Sequence, residues 1–369
     1  MSNTITNRQL FFMLFLTLTC FSVVVISKEM AQSAGAGAWL TIIVTALVFA
    51  LGTAVIVSLN NMFQGKMLFD YAPSLVTKSV TYLLSIYYVI YFMFILVFLV
   101  TGFSKLLNTD FFPKTPLWAF PLVGIPVFCY IAYKGVTNVA RLTEIIGAVF
   151  LFTALFIHIL MLTEGKVNRI LPLFNPKEVG RYIEGFKYSI FPFLGVETLL
   201  IIPFTKKNGK KAVRTGVLAL LAVGLFYVLV IESCIMKLGL HDIINYNDAL
   251  IVAIRDTAPP FLEIVARLDI LYLTVGFGGL FVGISIVMLA IVEYLCRIFK
   301  QMSRIAVVIA VGAVAYGLFL LAAGVKGFEK FGETLGTYAG LFSAFAIPIT
   351  LLIIAKAKKR NAKGDSHAS

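Results

Sequence analysis

Residues 185–204, GFKYSIFPFLGVETLLIIPF, are apolar enough to enter a bilayer, yet Pro192, Gly195, Glu197 and Pro203 sit inside the run. A carboxylate at the centre of a spanning helix costs about 2.5–3.5 kcal/mol on insertion scales for Asp, so a plain anchor has no use for it. Proline and glycine loosen the backbone there, and polar groups freed at membrane depth persist only inside protein or beside a water-filled cavity. The stretch reads as a discontinuous helix that lines a site. A lipid-buried helix with a proline kink would account for Pro192 but not for Glu197.

Composition supports a membrane setting for this helix. The chain is 60% hydrophobic and 13% charged with a mean hydropathy of +0.96, against about 45–50% and 25% in soluble domains. Spans of about 20 residues with short connections nearly consume its 369 residues. The expectation is one transmembrane domain over 1–360 and a basic cytoplasmic tail over 361–369. The formal charge of +13 suits loops on an anionic cytoplasmic leaflet and does not call for nucleic acid. Cys20, Cys129, Cys234 and Cys296 are scattered, without a CxxC pair, and read as small core residues. His158, His241 and His367 lack ligand spacing, so no metal and no cofactor is expected. Without GxSxG, HExxH, a Walker loop or paired carboxylates, an enzyme is not expected either.

In chain order, the expected helices cover about 8–30, 37–59, 79–104, 116–133, 142–163, 185–205, 212–236, 262–296, 304–323 and 334–355. The polar run SKEMAQS makes the second half of helix 1 irregular in this reading, although its middle has no glycine or proline. The basic residues concentrate on the even connections and the tail, KAKKRNAKGDSHAS, which puts both termini in the cytoplasm by the positive-inside rule. Ten spans with irregular helices 1 and 6 divide into two halves of five with opposite orientations, the inverted-repeat logic of secondary transporters.

Six stretches in order, ITNRQLFF (5–12), AGAWLTIIV (36–44), YKGVTNVARLTEII (133–146), LPLF (171–174), FPFLGVET (191–198) and ARLDILY (266–272), together resemble the spore germination permeases. These are the GerAB-like B-subunits of germinant receptors, within the amino acid–polyamine–organocation superfamily. The resemblance implies an all-α integral membrane protein with ten transmembrane helices in a LeuT-type 5+5 inverted repeat, helices 1 and 6 being discontinuous. It also implies a germinant receptor A-subunit and a lipoprotein C-subunit as partners in the inner membrane of a bacterial spore.

In such an arrangement helices 1, 3, 6 and 8 surround the ligand. Unpaired amides and carbonyls at half-helix ends suit the two charges of an amino acid. The candidates are Ser22, Val25 and Ser27 on helix 1, and Phe193, Gly195, Glu197, Thr198 and Leu199 on helix 6. Helix 3 offers Tyr91 and Ile95 from an aromatic stripe, and helix 8 offers Phe277, Phe281 and Ser285. Gly195 permits close approach to the backbone. Glu197 has three readings: counter-ion to a ligand amine, protonatable switch, or a carboxyl group bonded to loosened backbone. Glu293, one turn before Arg297, is expected to pair with it, while Arg267 and Asp269 fix the loop beside helix 8. The leading expectation is a sensor subunit that binds a small germinant, an amino acid first. The rivals are an autonomous proton- or cation-coupled amino acid transporter and a structural membrane subunit that binds nothing.

Overall fold

The computed structural model describes residues 5–205, 209–246, 248–257 and 268–365. Thr6 starts the first helix: its hydroxyl accepts from the Gln9 amide at 3.2 Å, while Gln9 returns a carbonyl oxygen to the Thr6 amide at 3.0 Å. These two bonds satisfy donors that a helix start leaves open. Helix α1 then runs unbroken over Asn7–Ala34. Helix 1 is therefore continuous, which corrects the expected discontinuity. No proline or glycine interrupts the ladder, and Thr17 and Thr19 donate back to the Met13 and Phe15 carbonyls within it. Gly35 ends the helix at φ +59°, and Arg181 donates to the Gln32 carbonyl at 3.0 Å, a cation on the negative helix end.

A short 3₁₀ turn, Gly35–Gly37, leads straight into α2 (Ala38–Met62). There follow α3 (Leu68–Leu75), α4 (Lys78–Asp110), α5 (Ala119–Tyr133) and α6 (Val136–Glu164). The segment expected as helix 6 begins earlier, as α7 (Val179–Ile190), and continues as 3₁₀ turns Phe191–Phe193 and Val196–Ile201. After it come α8 (Gly209–Leu238), α9 (Leu240–Ile243), α10 (Ala249–Arg255), α11 (Leu268–Ile298) and α12 (Arg304–Ala323). Helix α13 (Phe328–Leu341) passes through a π turn, Phe342–Ala346, into α14 (Ile347–Asp365). The first part of the expected tail is thus helical. Its last residues, together with Lys206, Lys207, Pro259, Pro260 and the expected start of helix 8 through Arg267, lie outside the described residues.

Among the described residues, seven helical stretches are long and apolar enough to cross a membrane: Phe21–Met62, Lys78–Thr109, Val136–Glu164, Lys211–Leu238, Leu268–Ile298, Arg304–Ala323 and Phe328–Lys359. The number falls below the expected ten for physical reasons. The first stretch spans parts of both α1 and α2, α5 is short, and α7 gives way to the 3₁₀ turns.

Helices α1 and α11 form the centre, with α4, α6 and α8 packed around them. Small residues set the distances. Gly279 of α11 faces Leu16 of α1, and Gly102 of α4 makes room for the Phe21 ring. Helix α13 carries a glycine face: added Cβ atoms at Gly332, Gly336 and Gly340 would stand 2.6, 2.8 and 2.5 Å from Phe98, Phe191 and Leu194.

Ionic clusters hold both ends of the bundle. At one end Glu164 and Lys237 pair at 3.0 Å, and Arg255 meets buried Asp269 at 3.1 Å. At the other, Glu293 accepts from Arg297 and from Arg304, each at 2.8 Å, and Arg297 reaches Asp70 at 3.2 Å. The expected Glu293–Arg297 pair forms, and Arg304 extends it to the Ala132 and Tyr133 carbonyls of α5. Glu293→Ala would leave two guanidinium groups without their shared carboxylate and is expected to cost about 1–3 kcal/mol. Asp70→Ala, nearer the surface, should cost under about 1 kcal/mol. Thermal unfolding midpoints in detergent check the order, and equal midpoints would overturn it.

Candidate functional site

The break between α7 and the second 3₁₀ turn comes from Pro192, which has no amide proton, and Gly195, which sits at φ +121°, a conformation other residues rarely adopt. The turns recover three short-range bonds: Leu194 N–H to Phe191 O, Thr198 N–H to Gly195 O and Ile202 N–H to Leu199 O, at 3.0, 3.1 and 3.0 Å. Groups that remain free are met by side chains, as buried backbone requires. The Gly195 amide donates to Glu197 Oε2 at 3.0 Å. The Thr198 hydroxyl donates to the Gly195 carbonyl at 2.6 Å. The Tyr227 hydroxyl stands 2.6 Å from the Leu18 carbonyl and 3.1 Å from that of Pro192, tying α1 to the break. Asn60 donates to the Leu199 carbonyl at 2.8 Å and is itself fixed by the Tyr71 hydroxyl.

A cavity of about 40 Å³ of space for water centres opens beside Gly195, room for roughly three waters at about 10–15 Å³ each. Helix α1 contributes Thr17, Leu18, Phe21 and Ser22, and α4 contributes Tyr91, Phe92, Ile95 and Leu99. The broken segment supplies Phe191, Leu194, Gly195, Glu197 and Thr198, and α11 supplies Val287. The cavity therefore lies about halfway along both α1 and α4. Glu197 is 1% exposed, and the Tyr91 hydroxyl donates to its Oε1 at 2.7 Å. Both carboxyl oxygens thus have a protein donor and keep acceptor capacity. Among the described residues that line this cavity there is no lysine, arginine or histidine, and Glu197 is the one carboxyl group. Among the described residues no group of three His, Cys, Asp or Glu side chains could hold a metal ion.

Of the residues singled out in the sequence, Ser22, Tyr91, Ile95, Gly195, Glu197 and Thr198 meet at this cavity. Val25, Ser27, Phe193, Leu199, Phe277, Phe281 and Ser285 are not in its lining. Phe193 packs on Phe49 and Tyr227, with ring centroids at 5.7 and 5.3 Å. Leu199 takes part in the break through its carbonyl. Phe277 and Phe281 join an aromatic cluster with Phe103, and Phe281 also faces Phe128. The Ser285 hydroxyl is turned back to the Phe281 carbonyl. Val25 is half-buried, and Ser27 is fully buried on α1.

Thr17, Leu18 and Phe21 escaped the sequence reading because helix 1 was expected to open later, near Ser22 to Ser27. In a continuous helix, positions 17, 18, 21 and 22 share one face, and that spacing was readable. Phe191 lines the cavity where Phe193 was expected, and Phe193, two residues on, lies on the other side against Phe49 and Tyr227.

Comparisons with known proteins agree on the kind of chain this is. The spore germination protein family (Spore_permease) matches residues 4–324. Spore germination protein YndE of Bacillus subtilis (strain 168) is 22% identical over 332 residues, covering 90% of this chain and 90% of that protein. Spore germination protein KB of the same organism is 24% identical, covering 96% of this chain and 95% of that one. Among solved structures, a manganese transporter of Eremococcus coleocola in complex with an aromatic bis-isothiourea substituted compound superposes with a TM-score of 0.63. It has 12% identity and covers 94% of this chain and 78% of that chain. That likeness shows the fold, that of a LeuT-like transporter.

The geometry at Gly195 generates a stability prediction. A Cβ there would stand 2.9 Å from Thr17 Cγ2 with the backbone still at φ +121°, so Gly195→Ala should cost about 1–3 kcal/mol. Gly180→Ala, whose Cβ would meet nothing within 4 Å, should change stability by less than about 0.5 kcal/mol. Unfolding midpoints of the two variants check this, and a neutral Gly195→Ala would remove the close approach from the account.

Proposed function

The chain belongs to the spore germination protein family and is a multi-pass membrane protein, and on that premise we propose that it is the B-subunit of a germinant receptor. It binds a small germinant, an amino acid first, in the cavity between α1, α4, the broken segment and α11. The observation that carries this reading is Glu197, a carboxylate held by the Tyr91 hydroxyl and the Gly195 amide at the edge of that cavity. The ammonium group of the germinant meets the acceptor capacity that remains on Glu197. The cavity's size favours a ligand with a small side chain, and a larger one requires Phe21 or Phe191 to move.

Binding at a helix break can bias the chain between conformations, because ligand contacts with Gly195, Glu197 and Thr198 differ when the break moves. A ligand shifts such an equilibrium only by its difference in affinity for the two states. The signal then passes to an A-subunit and a lipoprotein C-subunit in the inner spore membrane. Ten crossings, in two halves of five, with both termini in the cytoplasm complete the arrangement. A second reading, a proton- or cation-coupled amino acid transporter with the same site, draws support from the transporter fold.

The test is binding of a labelled amino-acid panel to the purified chain in nanodiscs, followed by uptake into proteoliposomes. Saturable binding is expected. Glu197→Gln should weaken it about 10–100-fold, the weight of about 1.5–3 kcal/mol for a hydrogen bond to a charged group, and Gly195→Trp should abolish it. Binding that ignores both substitutions would overturn the site. Concentrative uptake by the chain alone, lost in Glu197→Gln, would favour the transporter over the sensor.

A further inference from the structure

Helices α5 and α12 lie side by side at the edge of the bundle, and a groove of about 550 Å³ runs between them, inside the range of about 300–1,000 Å³ typical of ligand sites. Ile125, Pro126 and Tyr130 of α5 form one wall; Ile309, Gly312 and Ala313 of α12 form the other. Its floor is where Gly312 lets the helices close, since a Cβ there would stand 2.6 Å from Cys129 Sγ. The walls are almost wholly apolar. A hydrocarbon chain is thinner than a helix of about 10 Å across and can lie along these apolar walls.

One end of the groove is different. It stops at Tyr133 and Ile305, next in sequence to Lys134 and Arg304, and Lys300 lies in the short connection from α11 that leads into Arg304. Lys134 and Lys300 are exposed, and Lys134 Nζ stands 4.8 Å over the Tyr130 ring. The acids that face this end, Glu293 of α11 and Asp70 of α3, are already held by Arg297 and Arg304. An apolar slot thus opens onto cations whose neighbouring acids are engaged. That is the charge pattern of an amphiphile with a hydrocarbon chain and an anionic head.

We propose that this groove binds one anionic glycerophospholipid, with an acyl chain between α5 and α12 and the phosphate at Lys134 and Lys300. The site is independent of the cavity at Gly195. It sits on the α5–α11–α12 linkage, because Arg304 bonds α5 carbonyls and Glu293 at the mouth of the groove.

The full chain, purified in detergent, is titrated with phosphatidylglycerol and with phosphatidylcholine of the same acyl chains. Retained lipid is read by native mass spectrometry and stabilisation by the unfolding midpoint. One phosphatidylglycerol per chain should be retained in preference, with a raised midpoint. Lys134→Gln and Lys300→Gln should each weaken retention about five-fold, from about 1 kcal/mol per cation near a lipid headgroup. Ala313→Phe, on an exposed groove wall, should block it while leaving the elution volume of the chain unchanged. Equal retention of the two lipids would overturn the proposal, as would retention indifferent to Ala313→Phe. If Ala313→Phe instead removed a co-purifying receptor subunit and left lipid retention intact, the groove would be a protein interface and the lipid site would fall.

Discussion

The bilayer core offers backbone groups no water, so everything near Gly195 depends on finding each freed amide and carbonyl a partner inside the protein. Four side chains answer that demand: Tyr227 at the Pro192 carbonyl and Asn60 at the Leu199 carbonyl from other helices, and Glu197 and Thr198 within the segment itself. The partners Tyr227 and Asn60 come from α8 and α2, whose packing against each other is extensive. The break is therefore a built feature of the bundle. It exists because α2 and α8 arrive with polar groups at the right depth.

That bookkeeping also explains what sequence could show. FPFLGVET announces the break, because proline, glycine and glutamate inside an apolar run have few other uses, and Tyr91 follows from its place at the middle of a long aromatic helix. Helix phase was harder. The seven expected residues outside the cavity lie on elements that do border it, but most present the wrong face. Ser285 and Val287 are two residues apart, which on an α-helix is roughly 200°, and only Val287 faces the cavity. Phe277 and Phe281 share the Ser285 face and reach an aromatic cluster instead. The polar run SKEMAQS and the family resemblance both carried the expectation that helix 1 is irregular, but with no glycine or proline between Gln9 and Ser33 nothing interrupts the helix that forms.

The two ionic clusters divide the labour differently from the cavity. Each joins helices near their ends, where Arg297, Arg304 and Lys237 can reach acids on neighbouring elements. Between these tied ends, the middle of the bundle is held mainly by aromatic and aliphatic packing, and Glu197 stands out as a buried acid whose partners are a hydroxyl and an amide. Glu197 is thus a buried polar point at mid-depth in a frame tied by ion pairs near its ends.

Helix α13 packs its glycine face on the broken segment and α4. Phe98, Phe191 and Leu194 each occupy a seat above Gly332, Gly336 or Gly340, and the seats recur every four residues, about 6 Å along the helix. The broken segment and α4 are thus keyed to α13: each glycine seat is filled by one bulky side chain, so the segment cannot slide along α13 without unseating Phe191 and Leu194 together.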